Sequence, residues 1–137
     1  MDFGSREWST GGGAGQPPVL DLPFSQGVKA GPLVFTAGQA ALDENGKLVG
    51  VNDIRAQTEQ TLKNIRGVLE SLGASMKDVV KVTIWLKDYD DYAGMNEVYT
   101  QFFEAPRPPR SCVQSNMVPL LEDEFLVEIE AMAVVAE

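Results

Sequence analysis

Asn52 to Leu86 reads NDIRAQTEQTLKNIRGVLESLGASMKDVVKVTIWL, and its hydrophobic period changes once along the way. Asn52-Asp53 offers an N-cap. Ile54, Thr58, Leu62, Ile65, Leu69 and Leu72 then recur at spacings of three and four, which gathers them on one face of an α-helix running to about Leu72. Gly73 supplies the left-handed residue expected just past a helix end. From Asp78 the period drops to two: Val80, Val82, Ile84 and Leu86 face one way, and Val79, Lys81, Thr83 and Trp85 the other. A helix with one apolar stripe, followed by a strand with one apolar face, calls for a sheet covered by helices.

Upstream, Gln26 to Ala30 and Leu33 to Thr36 are short β-like runs separated by the turn dipeptide Gly31-Pro32. Glu44-Asn45-Gly46-Lys47 carries the Asn-Gly hairpin signal ahead of Leu48 and Val49, a third short strand. Downstream, a second helix is expected from about Tyr89 or Asp90 to Phe103, with Tyr92, Met95, Tyr99 and Phe102 on one core-forming face. The prolines of Ala105 to Pro109 end it. Ser111 to Asn116 is β-like, and Glu124 to Val135 is a long terminal strand. The order β-β-β-α-β-α-β-β makes an α+β domain over residues 19–137, its two helices packed on one face of the sheet. Residues 1–18, with the run Gly11-Gly12-Gly13-Ala14-Gly15, read as a flexible tail.

Composition excludes several kinds of chemistry. The chain has no histidine and a single cysteine, Cys112, so histidine-based triads, zinc-histidine sites and an internal disulfide framework are ruled out. A catalyst here works with carboxylates, Arg, Lys, Tyr, backbone groups and water. The net charge of −9, without a Lys/Arg cluster, argues against nucleic-acid binding. No apolar run approaches the roughly 20 residues that cross a bilayer, and the N-terminus lacks a signal pattern, so a cytoplasmic protein with no membrane partner is expected.

Glu128 and Glu130 are two apart on the terminal strand and share a face. That pattern fits a water-facing strand, or a strand that places one carboxylate in a cleft beside Arg110. Arg110 follows Pro108-Pro109, which stiffen its approach. Its planar fork matches a carboxylate, although an Arg in a weak surface ion pair reads the same way.

Pro108-Pro109-Arg110-Ser111-Cys112-Val113-Gln114, followed by Val127-Glu128-Ile129-Glu130-Ala131, resembles the RidA/YjgF family. Phe24-Ser25-Gln26-Gly27-Val28, Phe35-Thr36-Ala37-Gly38-Gln39 and Met95-Asn96-Glu97-Val98-Tyr99 extend the resemblance over about residues 19–136. It implies a chorismate-mutase-like α+β fold with a mixed sheet, and a homotrimer with clefts between subunits. The implied activity is hydrolysis of reactive enamines and imines, such as 2-aminoacrylate, to 2-oxo acids and ammonia, without metal or other cofactor. By the same resemblance Arg110 clamps the carboxylate of a small imino or 2-oxo acid, and Glu128 positions or activates water. The Cys112 backbone bonds the nitrogen end, Gly38 lets backbone approach the ligand, and Asn96, Phe24 and Ala37 complete the substrate-binding set. A nucleophilic Cys112 is disfavoured, since no histidine could activate it.

Two positions depart from the deaminating members: Phe24 stands where they usually have tyrosine, and Ala37 where they commonly have serine or threonine. Both remove a hydroxyl, which makes carboxylate binding a firmer expectation than 2-aminoacrylate turnover and points to a bulkier or more apolar substrate. Asn116 and the stretch Pro119 to Asp123 also differ from the usual cleft-bordering loop. The alternatives are a dedicated catabolic deaminase of the 2-aminomuconate or aminoacrylate type, and a non-catalytic trimeric binder of small carboxylates. An endoribonuclease activity, ascribed to some relatives, ranks last on charge.

Overall fold

A computed structural model describes residues 3–11, 22–117 and 124–136. Helix α1 spans Ile54–Ser71, capped by the Asp53 carboxylate, which accepts from Ala56 N at 3.1 Å, with Gly73 beyond its end at φ 80°. Every residue of the predicted stripe on α1 is buried. Strands β1 (Arg6–Ser9), β2 (Gly27–Ala30) and β3 (Leu33–Thr36) precede it; β4 (Val79–Leu86), α2 (Tyr92–Phe102), β5 (Arg110–Gln114) and β6 (Val127–Val134) follow. The six strands form one sheet in the order β1-β2-β3-β6-β4-β5. Only the β4–β5 pair is parallel. Parallel neighbours need a crossover, and α2 supplies it, so the helix returns the chain directly over the start of β5. Helix α1 connects β3 to β4, and β6 enters between those two strands, antiparallel to both.

The core lies between the helices and one sheet face, where Val34, Val82, Ile84, Val127, Ile129 and Ala131 meet Leu62, Ile65 and Leu69 of α1. The mixed sheet with two helices and the predicted element order are both present, but two of the early strands differ from the sequence reading. Arg6–Ser9, within the expected tail, pairs with β2, its Trp8 opposite Val28 and Ser9 O accepting from Gln26 N at 2.7 Å. One short polar strand buried at only one residue leaves little hydrophobic signal. The rest of the expected tail, residues 1–2 and 12–18, lies outside the described residues. Leu48 and Val49 do not make a strand; Leu48 forms an isolated bridge with Leu42 around the predicted turn, where Gly46 N donates to Asp43 O at 3.0 Å. Gly50 and Asn52, at φ 82° and 56°, turn the chain away before a ladder can extend. In β4 the alternation slips at a bulge between Val79 and Lys81, which buries Val79 and leaves Val80 exposed instead.

Among the polar residues of α1, Gln57 is fully buried. Its Nε2 donates to Gly50 O (3.0 Å) and Glu124 O (2.9 Å), and its Oε1 accepts from Leu126 N (2.8 Å), tying the helix to the approach of β6. No helix among the described residues is long and apolar enough to cross a membrane.

Candidate functional site

Arg110 opens β5 opposite Val82, a buried residue of the helix-covered face, and so its side chain runs under α2. Nη2 donates to the Tyr92 hydroxyl at 3.2 Å and to Asn96 Oδ1; Nη1 lies 4.0 Å from Met95 Sδ. The guanidinium carbon sits 4.6 Å from the Tyr99 ring centroid and 5.6 Å from that of Tyr92. Tyr92, Asn96 and Tyr99 are four and three residues apart, so one helix face builds the whole cage. Two aromatic faces, an amide oxygen and a hydroxyl hold the cation in one orientation. The salt bridges among the described residues, Arg55–Glu97 and Lys63–Glu59, do not include Arg110. Its charge is oriented but, among the described residues, not neutralised by a carboxylate.

Among the described residues no strand pairs with the outer edge of β5 beside Arg110. Val82 N donates to Pro109 O and Ser115 N to Leu86 O, which assigns the odd-numbered residues of this stretch to the ladder with β4. In a parallel ladder the alternate residues, Arg110, Cys112 and Gln114, point their backbone N–H and C=O groups away from that neighbour. The Cys112 side chain is partly buried against the core, and burial pushes its thiol pKa up, against the opposing pull of Arg110. A thiol so held stays protonated at neutral pH, which suits a backbone role better than a nucleophilic one.

Glu128 belongs to a different place. It is opposite Trp85 on β6, and its carboxyl lies against the backbone of Gly38: a Cβ there would come within 2.8 Å of Glu128 Cδ and Oε2. The approach is fixed by a reciprocal bridge, Gln39 N to Ile129 O (2.7 Å) and Ile129 N to Gln39 O (3.0 Å). Gln39 Nε2 also donates to Gln26 Oε1 at 2.8 Å in the interior, and Ala37 N to Gln26 O at 2.7 Å, joining the two motifs that carry Phe24 and Ala37. Phe24 itself is exposed. Burial raises the Glu128 pKa above the ordinary carboxylate range, and the neighbouring charge of Glu130 raises it further.

The candidate residues thus gather in two groups, Arg110 with Asn96 and the Cys112 backbone, and Glu128 with Gly38 and Ala37. Arg110 is aligned with Val82 and Glu128 with Trp85, an odd separation along β4, so the two side chains leave opposite faces of the sheet. Within one chain, strand parity therefore keeps the Glu128 carboxylate away from Arg110, and a cleft that holds both takes them from different copies. Tyr99, expected in the core, and Tyr92, expected on the same helix face, are the walls of the guanidinium cage as well. Their position four before and three after Asn96 was the available signal. The cleft-bordering stretch Pro119 to Asp123 falls outside the described residues. Among the described residues, no group of three or more His, Cys, Asp or Glu side chains is placed to hold a metal ion.

Comparison with known proteins agrees with this architecture. The family described as Endoribonuclease L-PSP matches residues 16–135. A RutC family protein of Pyrococcus abyssi (strain GE5 / Orsay) is 45% identical over 112 residues, covering 81% of this chain and 85% of that protein. The 3-aminoacrylate deaminase RutC of Acinetobacter baylyi is 40% identical over 119 residues, covering 87% and 91%. The crystal structure of E. coli TdcF with bound serine superposes with a TM-score of 0.80 at 36% identity, over 89% of this chain and 95% of that one. The chain belongs to the endoribonuclease L-PSP family, the family of RidA, YjgF and RutC.

Proposed function

We propose that this protein is a hydrolytic deaminase of small enamine and imine carboxylates, working as a homotrimer whose sites are completed between subunits. The observation that carries the reading is Arg110: a guanidinium held in place by Tyr92, Asn96 and Tyr99, on an open strand edge, with no carboxylate partner among the described residues. Such a group is prepared for an external carboxylate. Since Glu128 leaves the other face of the sheet, a second copy brings its own Gly38–Glu128 unit to the Arg110 edge of the first. The names of relatives support the chemistry: one is a 3-aminoacrylate deaminase, and one was solved with serine, a small amino acid.

In this mechanism Arg110 holds the substrate carboxylate, and the outward C=O of Cys112 accepts from the substrate nitrogen. An enamine first takes a proton from solvent at carbon to become the iminium ion. Glu128 then removes a proton from water as the oxygen bonds to the iminium carbon and returns it to the nitrogen; as the C–N bond breaks and the C=O bond forms, it takes the remaining hydroxyl proton and releases it to solvent. The products are a 2-oxo acid and ammonia. A raised pKa makes this carboxylate a stronger base than an ordinary one, which suits it to take the proton from water.

The lack of a hydroxyl at Phe24 and Ala37 favours a second reading, a carboxylate binder without turnover. The experiment follows ammonia and 2-oxo acid release from imines generated in situ by an amino-acid oxidase, from alanine-like to phenylalanine-derived substrates. Turnover lost in both Arg110→Ala and Glu128→Ala supports the deaminase. Release at the spontaneous rate from the folded protein supports the binder.

A further inference from the structure

A guanidinium offers a carboxylate two two-pronged edges, Nε with Nη2 and Nη1 with Nη2, and both use Nη2. Here Nη2 already donates to Tyr92 Oη at 3.2 Å and to Asn96 Oδ1, which occupies both of its hydrogens. A ligand reaching Arg110 therefore finds Nη1, whose hydrogen-bond contact among the described residues is the weak one to Met95 Sδ at 4.0 Å, but no complete fork. One carboxylate oxygen is served; the other needs a donor beside it.

Tyr92 carries a hydroxyl on the neighbouring nitrogen of the same guanidinium. Its oxygen accepts from Nη2, so its own O–H is turned away from the guanidinium. The ring is held by stacking on Tyr89, with centroids 5.5 Å apart and planes within 10°. We propose that Tyr92 is a carboxylate-binding residue, its hydroxyl donating to one ligand oxygen while Nη1 of Arg110 donates to the other, so that phenol and guanidinium together form the fork. The inference rests on the reading of Arg110 as the clamp. The hydrogen bond from Arg110 also lowers the Tyr92 pKa, which strengthens the hydroxyl as a donor. The same arrangement selects against carboxamides, because an amide N–H would confront a donor where a carboxylate presents an acceptor. It gives the site a hydroxyl on the carboxylate side, where Phe24 and Ala37 themselves carry none.

The test is the affinity of the full chain for pyruvate, phenylpyruvate and the neutral pyruvamide, by NMR titration, in the wild type, Tyr92→Phe and Arg110→Ala. Phenylalanine keeps the ring and its stack on Tyr89, so the fold is preserved and matched melting curves verify it. The expected result is a loss of about ten-fold or more for both carboxylates in Tyr92→Phe, with pyruvamide little changed, and binding abolished in Arg110→Ala. Unchanged or tighter carboxylate binding in Tyr92→Phe would overturn the inference alone, making Tyr92 an occupant that the ligand displaces. So would an equal loss for pyruvate and pyruvamide, which a merely structural role predicts. Carboxylate binding that survives Arg110→Ala, or a wild-type chain that binds neither acid, would overturn the clamp and this inference together.

Discussion

Arg110 and Glu128 lie on opposite faces of one sheet, since Val82 and Trp85, the residues they pair with on β4, alternate in direction. If both serve one reaction, each must act with the other residue of a different copy. Arg110→Ala and Glu128→Ala chains, each inactive alone, are then expected to recover activity when dissociated together and reassembled. About one quarter of the interfaces formed at random join two intact halves. Deaminase assays on the mixture decide the matter, alongside a light-scattering mass against the 14.9 kDa subunit. A mixture as inactive as its parents would place both residues in a single subunit's site, contrary to strand parity.

Gly38 has a specific steric duty. Alanine there sets a Cβ 2.8 Å from the Glu128 carboxyl, which must swing away. Misplacing a catalytic group by about an ångström lowers turnover by roughly 10²-fold, so Gly38→Ala is expected to lose kcat with little change in melting temperature. Gly27 is the contrast. A Cβ there meets Val68 Cγ1 at 2.6 Å and Phe35 O at 3.0 Å, so Gly27→Ala should cost about 1–3 kcal/mol of stability through overpacking.

The titration of Glu128 predicts two pH dependences. As the proposed base it must be ionised, so kcat/KM should fall on acidification at a pH above the ordinary carboxylate range. Glu130→Gln, which removes the second cause of the shift, should move that limb to lower pH. Glu128→Gln should lower kcat by about 10²–10⁴-fold. For stability the sign is the reverse of the usual acidic residue. A folded pKa above the unfolded one favours the native state at low pH, and this contribution is lost as pH rises through the folded value. Glu128→Gln is therefore expected to melt no lower than the wild type at neutral pH, and a clear drop would contradict the raised pKa.

Gln57 should matter to stability more than any polar residue on an exposed helix face. Three hydrogen bonds from a fully buried side chain join α1 to Gly50, Glu124 and Leu126. Gln57→Ala leaves backbone groups without these partners, and a loss of about 2–4 kcal/mol is expected in denaturant melts.

These four cases show where the sequence could be read and where it could not. The α1 stripe, the Asp53 cap and the alternation of β6 are local periodic signals, and they recover the helix, the strand and the buried face. Arg110, Glu128 and Gly38 stand out by motif. What escaped were facts fixed by pairing rather than by period. The bulge at Val79 and Lys81 shifts one residue, β1 carries almost no apolar pattern, and the opposition of Arg110 to Glu128 depends on which strands adjoin β4. Tyr92 and Tyr99 were legible as helix-face residues. Their second use, as the walls around a cation, became visible only once β5 was known to start beneath α2.

The position of β6 between β3 and β4 has a consequence for the making of the protein. A growing polypeptide that has not reached Val127 holds its two earlier sheet halves apart, joined through α1 but with nothing to hydrogen-bond between them. The same strand carries Glu128 and the Ile129 backbone that draws Gln39, and with it Gly38, into place. Closure of the sheet and placement of the Glu128 carboxylate against Gly38 are thus a single event.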